Sequence, residues 1–253
     1  ALAAAKLAIP VAHVEAGLRS YNRKMPEEIN RVLTDHLSSL LFCPTDTAVK
    51  NLAREGIVQG VYQVGDVMYD VALWGLEVAE RKSTILETLG VDAGRYLLTT
   101  IHRPSNTDAP DNLAAIMSAL NETAETVIFP AHPRTQKAFN HWQIRPNSNV
   151  RLIDPLSYLD MLVLEKNARM ILTDSGGVQK EAYILGIPCV TLREETEWIE
   201  TVEAGWNVLV GASRERILEA VRNFRPAGPR IPLFGDGNAG RRIVEILIRE
   251  GTR

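Results

Sequence analysis

The segment Thr-Asp-Ser-Gly-Gly-Val-Gln-Lys-Glu-Ala at positions 173–182 has the residue types of a phosphate-binding turn. It follows an apolar run and precedes a helical pattern, so Ser175 can cap the helix while Gly176 and Gly177 let a ligand approach the backbone. The N–H groups and the dipole at a helix start favour an anion. Glu181 could accept hydrogen bonds from ribose hydroxyls, as acidic residues do in nucleotide sites. A tight turn without a ligand explains the glycines equally well, and the acidic residue favours binding.

Two further clusters follow predicted strands: Thr-Ile-His-Arg-Pro-Ser-Asn at 100–106 and Pro-Ala-His-Pro-Arg at 130–134. His102 and Arg103 offer a titratable donor and a permanent cation, and both suit a diphosphate. His132 could reach the same site, because open α/β sheets bind ligands at the carboxyl ends of their strands. A structural histidine and a loop-shaping proline are the alternative explanations of these clusters.

Two acidic motifs stand near the start of the chain: His-Val-Glu-Ala-Gly-Leu-Arg from His13 and Pro-Glu-Glu-Ile-Asn-Arg from Pro26. Glu15 follows an apolar strand pattern, which is a poor place for a carboxylate without a partner or a task. Glu27 stands in the first turn of a predicted helix, and the helix dipole alone accounts for it. Two carboxylates near one cleft, with Arg19 as a substrate contact, would suit general acid–base chemistry on a sugar.

Short apolar or β-branched runs alternate with helical patterns along the chain. The predicted strands are Pro10–Val14, Leu40–Pro44, Val61–Val64, Tyr96–Ile101, Thr126–Ala131, Val150–Ile153, Arg169–Thr173, Pro188–Leu192 and Asn207–Val210. The predicted helices are Pro26–Leu37 (with an apolar stripe through Ile29, Val32, Leu33 and Leu37), a helix that carries the chain through Lys82 into the second domain, Asn112–Asn121, Ser157–Lys166, Gly177–Gly186, Arg214–Asn223 and Gly240–Arg249. Largely apolar strands separated by helices indicate parallel sheets covered on both faces.

The distribution of strands predicts two domains. Six predicted strands from Tyr96 onward suffice for a doubly wound domain, whereas the three before Asp70 are too few to cover a parallel sheet well. The opening Ala-Leu-Ala-Ala-Ala-Lys reads as the end of a helix already under way. We therefore expect a chain that lacks the N-terminal half of its first domain, with a small complete domain as the alternative. The expected domains are 1–66 and 67–235, followed by a closing helix at 236–253.

The composition excludes several classes of protein. A hydrophobic content of 45% and a charged content of 23% are typical of a soluble globular protein and not of a disordered one. A net charge of −3 gives no sign of a nucleic-acid partner or a polybasic membrane contact, and no apolar run is long enough to span a membrane. Cys43 and Cys189 lie in apolar runs without His or Cys at zinc-ligand spacing, so we expect a reducing compartment and no metal.

Taken together, these motifs resemble those of the non-hydrolysing UDP-N-acetylglucosamine 2-epimerases, in the family's order and over nearly the whole chain. The matching segments are HVEAGLRS, PEEINR, the strand-end HR–N, PAHPR, LIDPLSYLDM, LTDSGGVQKEA and REETEWIETVEAGWNVLVG. The resemblance implies an α/β fold with two Rossmann-like domains facing each other across a cleft, the architecture of the B-type glycosyltransferases. The first of them would be incomplete, with the final helix crossing back to it.

The same resemblance assigns roles to the nucleotide-binding residues. Ser175, Gly176 and Gly177 would hold the UDP phosphates, and Glu181 would bind the ribose. His102 would lie by the diphosphate and help UDP to leave. The implied substrate is UDP-N-acetylglucosamine.

For the chemistry, Glu15 and Glu27 match two carboxylates implicated in proton transfer at C2 of the sugar. The implied reaction is elimination of UDP to a glycal and re-addition with inversion at C2, which gives UDP-N-acetylmannosamine and needs no cofactor or metal. Arg103 and His132 match positions near a second UDP-N-acetylglucosamine, which acts as an activator in the family. A cytoplasmic homodimer that serves cell-surface polysaccharide synthesis is also implied by the resemblance.

Several departures from the family pattern matter. Ser105 replaces an acidic residue near the activator, Trp198 and Ile199 replace Arg-Pro, and Met161 stands where an aromatic residue often packs on the uracil. Basic phosphate contacts and one acidic catalytic residue would belong to the missing segment, so we expect this chain to be inactive while its parent protein is an epimerase. A hydrolysing epimerase, a B-type glycosyltransferase and a non-catalytic UDP-binding module are the alternatives.

Overall fold

The structure is a computed structural model that describes residues 1–251, and these form two compact units. The first unit comprises the chain up to Leu73 together with the segment from Pro232 onward, and the second comprises Trp74–Ile231. These units divide at 73/74, within helix Val67–Lys82, and at 231/232. The expected domains 1–66 and 67–235 and the closing helix 236–253 stay a prediction. The expected closing segment ends in residues 252 and 253, which lie outside the described residues.

The first unit contains a parallel sheet of three strands in the order β1–β2–β3. Its elements are α1 (Leu2–Lys6), β1 (Ala12–Val14), α2 (Pro26–Leu37), β2 (Leu40–Cys43), α3 (Asp46–Arg54), β3 (Val61–Gln63), the first part of α4 (Val67–Lys82) and, from the end of the chain, α13 (Ala239–Gly251). Phe42, Val64 and Ile243 form a buried apolar cluster of this unit, so α13 shares a core with the sheet.

Helix α2 positions the acidic motifs of the first unit. It begins at Pro26, whose fixed φ suits a first helical residue, and has Glu27 and Glu28 in its first turn. The buried side chains of the helix are the carboxylates Glu28 and Asp35, whereas Ile29 of the predicted apolar stripe is exposed. The helix was therefore predicted correctly, but the face that the unit buries is acidic. A carboxylate on that face, Asp35, accepts a hydrogen bond from the Gly17 amide in the turn that follows β1.

The second unit contains a parallel sheet of six strands in the order β6–β5–β4–β7–β8–β9. Its elements are the rest of α4, α5 (Ile85–Leu89), β4 (Tyr96–Thr100), α6 (Pro104–Thr107), α7 (Pro110–Glu122), β5 (Thr126–Pro130), α8 (Pro133–Trp142), β6 (Val150–Ile153), α9 (Tyr158–Asn167), β7 (Met170–Thr173), α10 (Gly176–Leu185), β8 (Cys189–Thr191), α11 (Ile199–Glu203), β9 (Asn207–Leu209) and α12 (Arg214–Asn223). This order is that of a doubly wound sheet. From β4, successive strands are added on one side, and from β7 they are added on the other side, so the strand order reverses between β4 and β7.

Both faces of the six-stranded sheet are covered by apolar side chains. Along β4, Leu97 belongs to one buried cluster, while Tyr96 and Leu98 belong to the other, because successive side chains of a strand point to opposite faces. Leu113 of α7 packs in the first cluster, and Leu162 of α9 packs in the second. The strands are apolar nearly throughout because each lies between two layers of helices.

The predicted strands and the parallel pairing are confirmed, with ends that differ by two residues at most. Helices α3, α5, α6, α8 and α11 had not been predicted. Cys43 and Cys189 are buried free thiols. Within residues 1–251, no helix has both the length and the apolar character needed to cross a membrane.

Candidate functional site

The turn between β7 and α10 has the geometry of an anion-binding helix start. Ser175 is the N-cap residue of α10, and its hydroxyl accepts a 3.5 Å bond from the Val178 amide. Its own amide donates to the Thr173 hydroxyl at 2.9 Å. Within residues 1–251, no acceptor lies in hydrogen-bonding range of the amides of Gly176 and Gly177. These two donors are therefore available to a ligand that carries negative charge.

A second segment borders this helix start. A Cβ atom at Gly176 would lie 3.4 Å from Nε1 of Trp198 and 3.6 Å from a carboxylate oxygen of Glu197. Trp198 is buried, and the Lys180 ammonium lies 4.3 Å from the centre of its ring. The Trp-Ile substitution noted in the sequence thus places an indole beside the first residue of α10.

Glu181 lies on α10 beside this turn, with 6% of its surface exposed. Burial raises its pKa to about 7, while the Tyr158 hydroxyl and the Lys180 charge act in the opposite direction. Behind it on α9, Glu165 is fully buried, and neither of its carboxylate oxygens has a partner among the described residues. Burial and the proximity of Glu181 raise the pKa of Glu165 well above the usual range, which favours its protonated form.

The loop after β4 is held by Asp174, a fully buried residue at the end of β7. Its carboxylate accepts bonds of 3.0 Å from the amides of His102 and Arg103 and from Nδ2 of Asn106. Nδ1 of His102 lies 3.6 Å from Oδ1 of the same residue. Asp174 had no predicted role, and a carboxylate at the end of an apolar strand is the signal that could have revealed it.

His102 and His132 lie close together, with ring centres 6.4 Å apart. His132 is the N-cap of α8, and its Nδ1 atom accepts a 3.2 Å bond from the Arg134 amide. Burial lowers the pKa of His102, and the positive charges of its neighbours add to this effect. Asp174 opposes it, because a negative charge favours the imidazolium. The structure therefore brings together His102, Arg103 and His132 at the same sheet edge as the α10 turn.

In the first unit, Glu15 lies in a tight turn directly after β1. Its φ angle of +66° is unusual for a residue with a side chain. The residues on either side are fixed by Asp35, which accepts bonds from Nδ1 of His13 at 2.6 Å and from the Gly17 amide at 3.1 Å. The strained conformation of Glu15 is thus imposed by a buried carboxylate, and such strain is commonly found at functional sites.

Arg19 is buried, and its guanidinium contacts other protein groups. It donates to both carboxylate oxygens of Glu55 at 2.7 Å, to Asp35 at 2.6 Å and to the carbonyl of Leu18 at 2.7 Å. Burial opposes the charge of Arg19, but these two carboxylates raise its pKa. Its predicted role in substrate binding stays a prediction, and the contacts in the structure give it an anchoring position.

The two neighbouring glutamates at the start of α2 have different environments. Glu27 is exposed, whereas Glu28 is buried. The carboxylate of Glu28 accepts bonds from the amides of Ser20 at 3.0 Å and Tyr21 at 2.9 Å. Glu28 therefore holds the chain between the two motifs, and Glu27 has the more accessible carboxylate of the pair.

The predicted residues of the second unit meet at one edge of its sheet, where β4 and β7 end at the reversal of strand order. Pairing of Thr100 with Thr173 puts the loops that begin at His102 and Ser175 side by side. No group of three or more His, Cys, Asp or Glu side chains suited to a metal occurs within residues 1–251. Fold and site define an α/β protein whose switch-point loops carry amide donors, an imidazole and a carboxylate, which are groups suited to a phosphorylated ligand.

The chain belongs to the UDP-N-acetylglucosamine 2-epimerase family, a family of isomerases whose model matches residues 1–248. A UDP-N-acetylglucosamine 2-epimerase homolog of Methanococcus maripaludis is 54% identical over 98% of this chain and 71% of its own length. A UDP-2,3-diacetamido-2,3-dideoxy-D-glucuronate 2-epimerase of Pseudomonas aeruginosa is 46% identical over 98% of this chain and 71% of its length.

A solved structure supports the same relationship. The UDP-GlcNAc 2-epimerase of Methanocaldococcus jannaschii, determined in complex with UDP-GlcNAc and UDP, superposes with a TM-score of 0.92 at 45% identity. The match covers 98% of this chain and 71% of that chain. The fold is accordingly the Rossmann-like α/β fold of these B-type-glycosyltransferase-like epimerases.

Proposed function

We propose that this protein interconverts UDP-N-acetylglucosamine and UDP-N-acetylmannosamine as a non-hydrolysing 2-epimerase. The observation that carries the proposal is the pair of available amides at Gly176 and Gly177, which lie beside a loop that presents His102. Relatives named as epimerases, one of them solved with UDP-GlcNAc and UDP, support the same substrate class.

The binding step follows from charge and geometry. The UDP diphosphate accepts hydrogen bonds from the two glycine amides and the Ser175 hydroxyl, and the positive end of the α10 dipole adds to the attraction. Glu181 binds the ribose, because a carboxylate beside the phosphate turn can accept bonds from both ribose hydroxyls. A pKa of about 7 leaves a substantial ionised fraction of Glu181 at neutral pH.

The chemical step is an elimination of UDP followed by its re-addition to C1, with the proton delivered to the opposite face of C2. A carboxylate removes the proton from C2, the C–H electron pair forms a double bond between C1 and C2, and the C1–O bond breaks with its electrons leaving on UDP. UDP then returns to C1, and C2 receives a proton from the opposite face. His102 is assigned to the departure of UDP, because a ring N–H can donate a hydrogen bond to the charge that develops on the leaving diphosphate.

Glu15 and Glu27 are assigned the proton transfers at C2. Glu15 is held in a strained turn and Glu27 is exposed at a helix start, whereas their neighbour Glu28 is buried in backbone contacts. Two carboxylates suit this reaction because inversion needs one group to remove a proton and another to deliver one.

The substrate class can be stated as a UDP-2-acetamido sugar. The Pseudomonas aeruginosa relative is named for a sugar that carries a second acetamido group at C3 and a carboxylate at C6. Both names place the reaction at C2, so the activated proton and the leaving group are the same. UDP-N-acetylglucosamine is proposed here as the substrate, and the diacetamido uronate is the second compound to assay.

The family resemblance also supports a cytoplasmic homodimer that binds a second UDP-N-acetylglucosamine as an activator near Arg103 and His132. The two buried free thiols favour a reducing compartment. Ser105, two residues after Arg103, is exposed and stands in place of the usual acidic residue. We therefore propose that activation by the second nucleotide sugar is weak. Sedimentation analysis and rate curves against substrate concentration test both statements, since activation gives a sigmoidal curve.

The experiment is proton exchange and product analysis by NMR in D₂O. The gene's full product is incubated with UDP-N-acetylglucosamine, and UDP binding is measured in parallel on this chain by calorimetry. We expect deuterium at C2, an equilibrium mixture of the two UDP-sugars and UDP affinity in the chain. Glu15→Gln and Glu27→Gln should each lower exchange at least tenfold, while Glu87→Gln, a change of an exposed glutamate on α5, should not.

Each alternative predicts a different outcome. Free N-acetylmannosamine with stoichiometric UDP would indicate a hydrolysing epimerase. UDP affinity without any C2 exchange would indicate a binding module, and transfer of the sugar to an added acceptor would indicate a glycosyltransferase. Any of these three results overturns the proposed reaction.

A further inference from the structure

Asp174 is the central acceptor of the second unit's strand ends. It stands at the end of β7, yet the groups that it binds belong to the loop that follows β4. Asn106 of that loop also donates to the carbonyl of Leu192, one residue beyond β8, at 3.1 Å. One carboxylate therefore connects the strand ends on both sides of the topological reversal.

A fully buried carboxylate is costly unless donors surround it. Here the donors are two consecutive backbone amides and one side-chain amide, all within residues 102–106, a segment that joins β4 to helix α6 and includes its first turn. This segment is called the 102–106 loop. The position of this loop is consequently determined by Asp174, because any other loop position would leave the charge without its hydrogen bonds. His102 is the first residue of the loop and keeps 40% of its side chain exposed.

We propose that Asp174 is a positioning residue, which fixes the 102–106 loop and places a negative charge beside the His102 imidazole. The inference rests on the proposed function, because it concerns the step assigned to His102. It adds a residue to which the motif comparison gives no role.

The charges that surround His102 explain why Asp174 matters. Arg103 comes from the same loop, His132 and Arg134 come from the start of α8, and Asp174 comes from the end of β7. Among these four groups only Asp174 is negative. Removing its charge leaves the imidazole half-buried among cations, and the protonated form is then disfavoured. The direction of change is therefore fixed: the pKa of His102 falls further below its ordinary value.

The test uses Asp174→Asn, which keeps the shape of the side chain and removes its charge. The ring protons of the five histidines are followed by NMR against pH without nucleotide, and His102→Gln identifies the relevant signal. We expect the His102 midpoint to move to lower pH and turnover to fall roughly tenfold to a hundredfold, as for other groups that orient a site. Asp111→Asn, which removes an exposed carboxylate of α7, should change neither.

A second variant separates the charge from simple scaffolding. Asn106→Ala removes one donor to Asp174 but leaves the carboxylate in place. Without the Asn106 donor, the Asp174 carboxylate exerts a stronger negative potential on His102. The midpoint of the His102 titration should therefore move to higher pH. If Asp174 were only a structural anchor, both variants would loosen the loop and shift the midpoint in the same direction. This variant also tests the inference if Asp174→Asn does not fold.

The outcomes distinguish this inference from the proposed function. A folded Asp174→Asn protein whose His102 midpoint equals that of the wild type overturns the positioning role, as does a downward shift in Asn106→Ala. If the wild type neither binds UDP nor exchanges the C2 proton, the proposed function fails. The titration without nucleotide still shows whether Asp174 sets the charge state of His102.

Discussion

Nδ1 of His13 lies 2.6 Å from Oδ1 of Asp35, and through this contact helix α2 holds the turn that contains Glu15. The other oxygen of Asp35 accepts bonds from the Gly17 amide and from Arg19. The arrangement parallels that of Asp174 in the second unit, where a buried aspartate fixes the loop that presents His102. Each unit thus uses one desolvated carboxylate to order the segment to which a chemical role is assigned.

Replacing Asp35 should destabilise the protein strongly. Asp35→Asn leaves the buried Arg19 guanidinium with one carboxylate fewer, and breaking a buried ion pair costs about 3–5 kcal/mol. Urea unfolding followed by circular dichroism measures the change. Asp46→Asn is the control, because its pair with Lys50 has both side chains 65% exposed and should contribute less than about 1 kcal/mol. Equal losses in the two variants would contradict the anchoring role of Asp35.

Gly17 and Gly56 form a matched pair for testing the turn after Glu15. Their φ angles are +80° and +81°, so alanine at either site incurs the left-handed penalty of about 1–2 kcal/mol. At Gly17, however, a Cβ atom would lie 2.3 Å from the backbone oxygen of Ala48, whereas at Gly56 nothing lies within 4 Å. Gly17→Ala should therefore lower the free energy of unfolding by a further ~1–3 kcal/mol, as is typical of overpacked sites.

The same pair also reports on function. Because Gly17 shares Asp35 with His13, displacing its backbone should move Glu15 and lower C2 proton exchange, while Gly56→Ala leaves exchange unchanged. Thermal unfolding and the exchange assay are run on both variants. A Gly17→Ala protein as stable and as active as Gly56→Ala would show that the close contact with Ala48 is relieved without cost.

Much of the fold was predictable from the sequence because the signal is local. Apolar strands between helical segments indicate a parallel sheet, and the order of the six strands fits the expected doubly wound domain. Helix α2 shows the limit of this reasoning. Its apolar stripe predicted burial of Ile29 and Leu33, which are 47% and 55% exposed, whereas Glu28 and Asp35 are buried. The roughly 3.6-residue spacing of apolar side chains identifies the helix. Which face is buried, however, depends on the hydrogen-bond acceptors that the neighbouring turn requires.

The candidate site divides in the same way. Ser175, Gly176 and Gly177 could be proposed from the sequence because a cap and two glycines at a strand-to-helix junction form a local pattern. Asp174 and Asp35 were missed, because their partners lie 72 and 22 residues away along the chain. A buried carboxylate acquires its role from tertiary contacts, and no spacing rule identifies those contacts in one sequence.

Ser175 and Ser213 allow the ligand role of the phosphate turn to be separated from helix capping. Both are N-cap serines whose hydroxyls accept a bond from the amide three residues on, in α10 and α12 respectively. Alanine at either position should cost about 1 kcal/mol of stability. Only Ser175→Ala should also weaken UDP binding, by roughly tenfold, because it alone removes a donor to the diphosphate. Calorimetric titration with UDP measures this, and equal affinities in the two variants would leave Ser175 with a capping role alone.

Glu181 predicts a specific dependence of stability on pH. Its pKa in the folded protein, about 7, lies above the ordinary value of 4.5. The stabilisation linked to its protonated form is thus fully present below pH 4.5 and is lost as the pH rises to about 7. The unfolding free energy of the wild type should therefore fall over this interval relative to Glu181→Gln, in urea titrations at matched pH. Glu165 acts in the same direction, and Glu181→Gln removes a charge that raises the pKa of Glu165, so the difference between the two proteins includes both effects and keeps the predicted sign.

The affinity for UDP should show the opposite trend and increase with pH, because the ionised form of Glu181 accepts hydrogen bonds from both ribose hydroxyls. With a pKa of about 7, the ionised fraction rises roughly tenfold from pH 6 to pH 8, and the apparent affinity follows the competent fraction. The nucleotide also changes its charge with pH, so the quantity to compare is the ratio of wild-type affinity to that of Glu181→Gln at each pH. This ratio should increase with pH and level off above 7. A ratio independent of pH would mean that the ribose is bound by other groups.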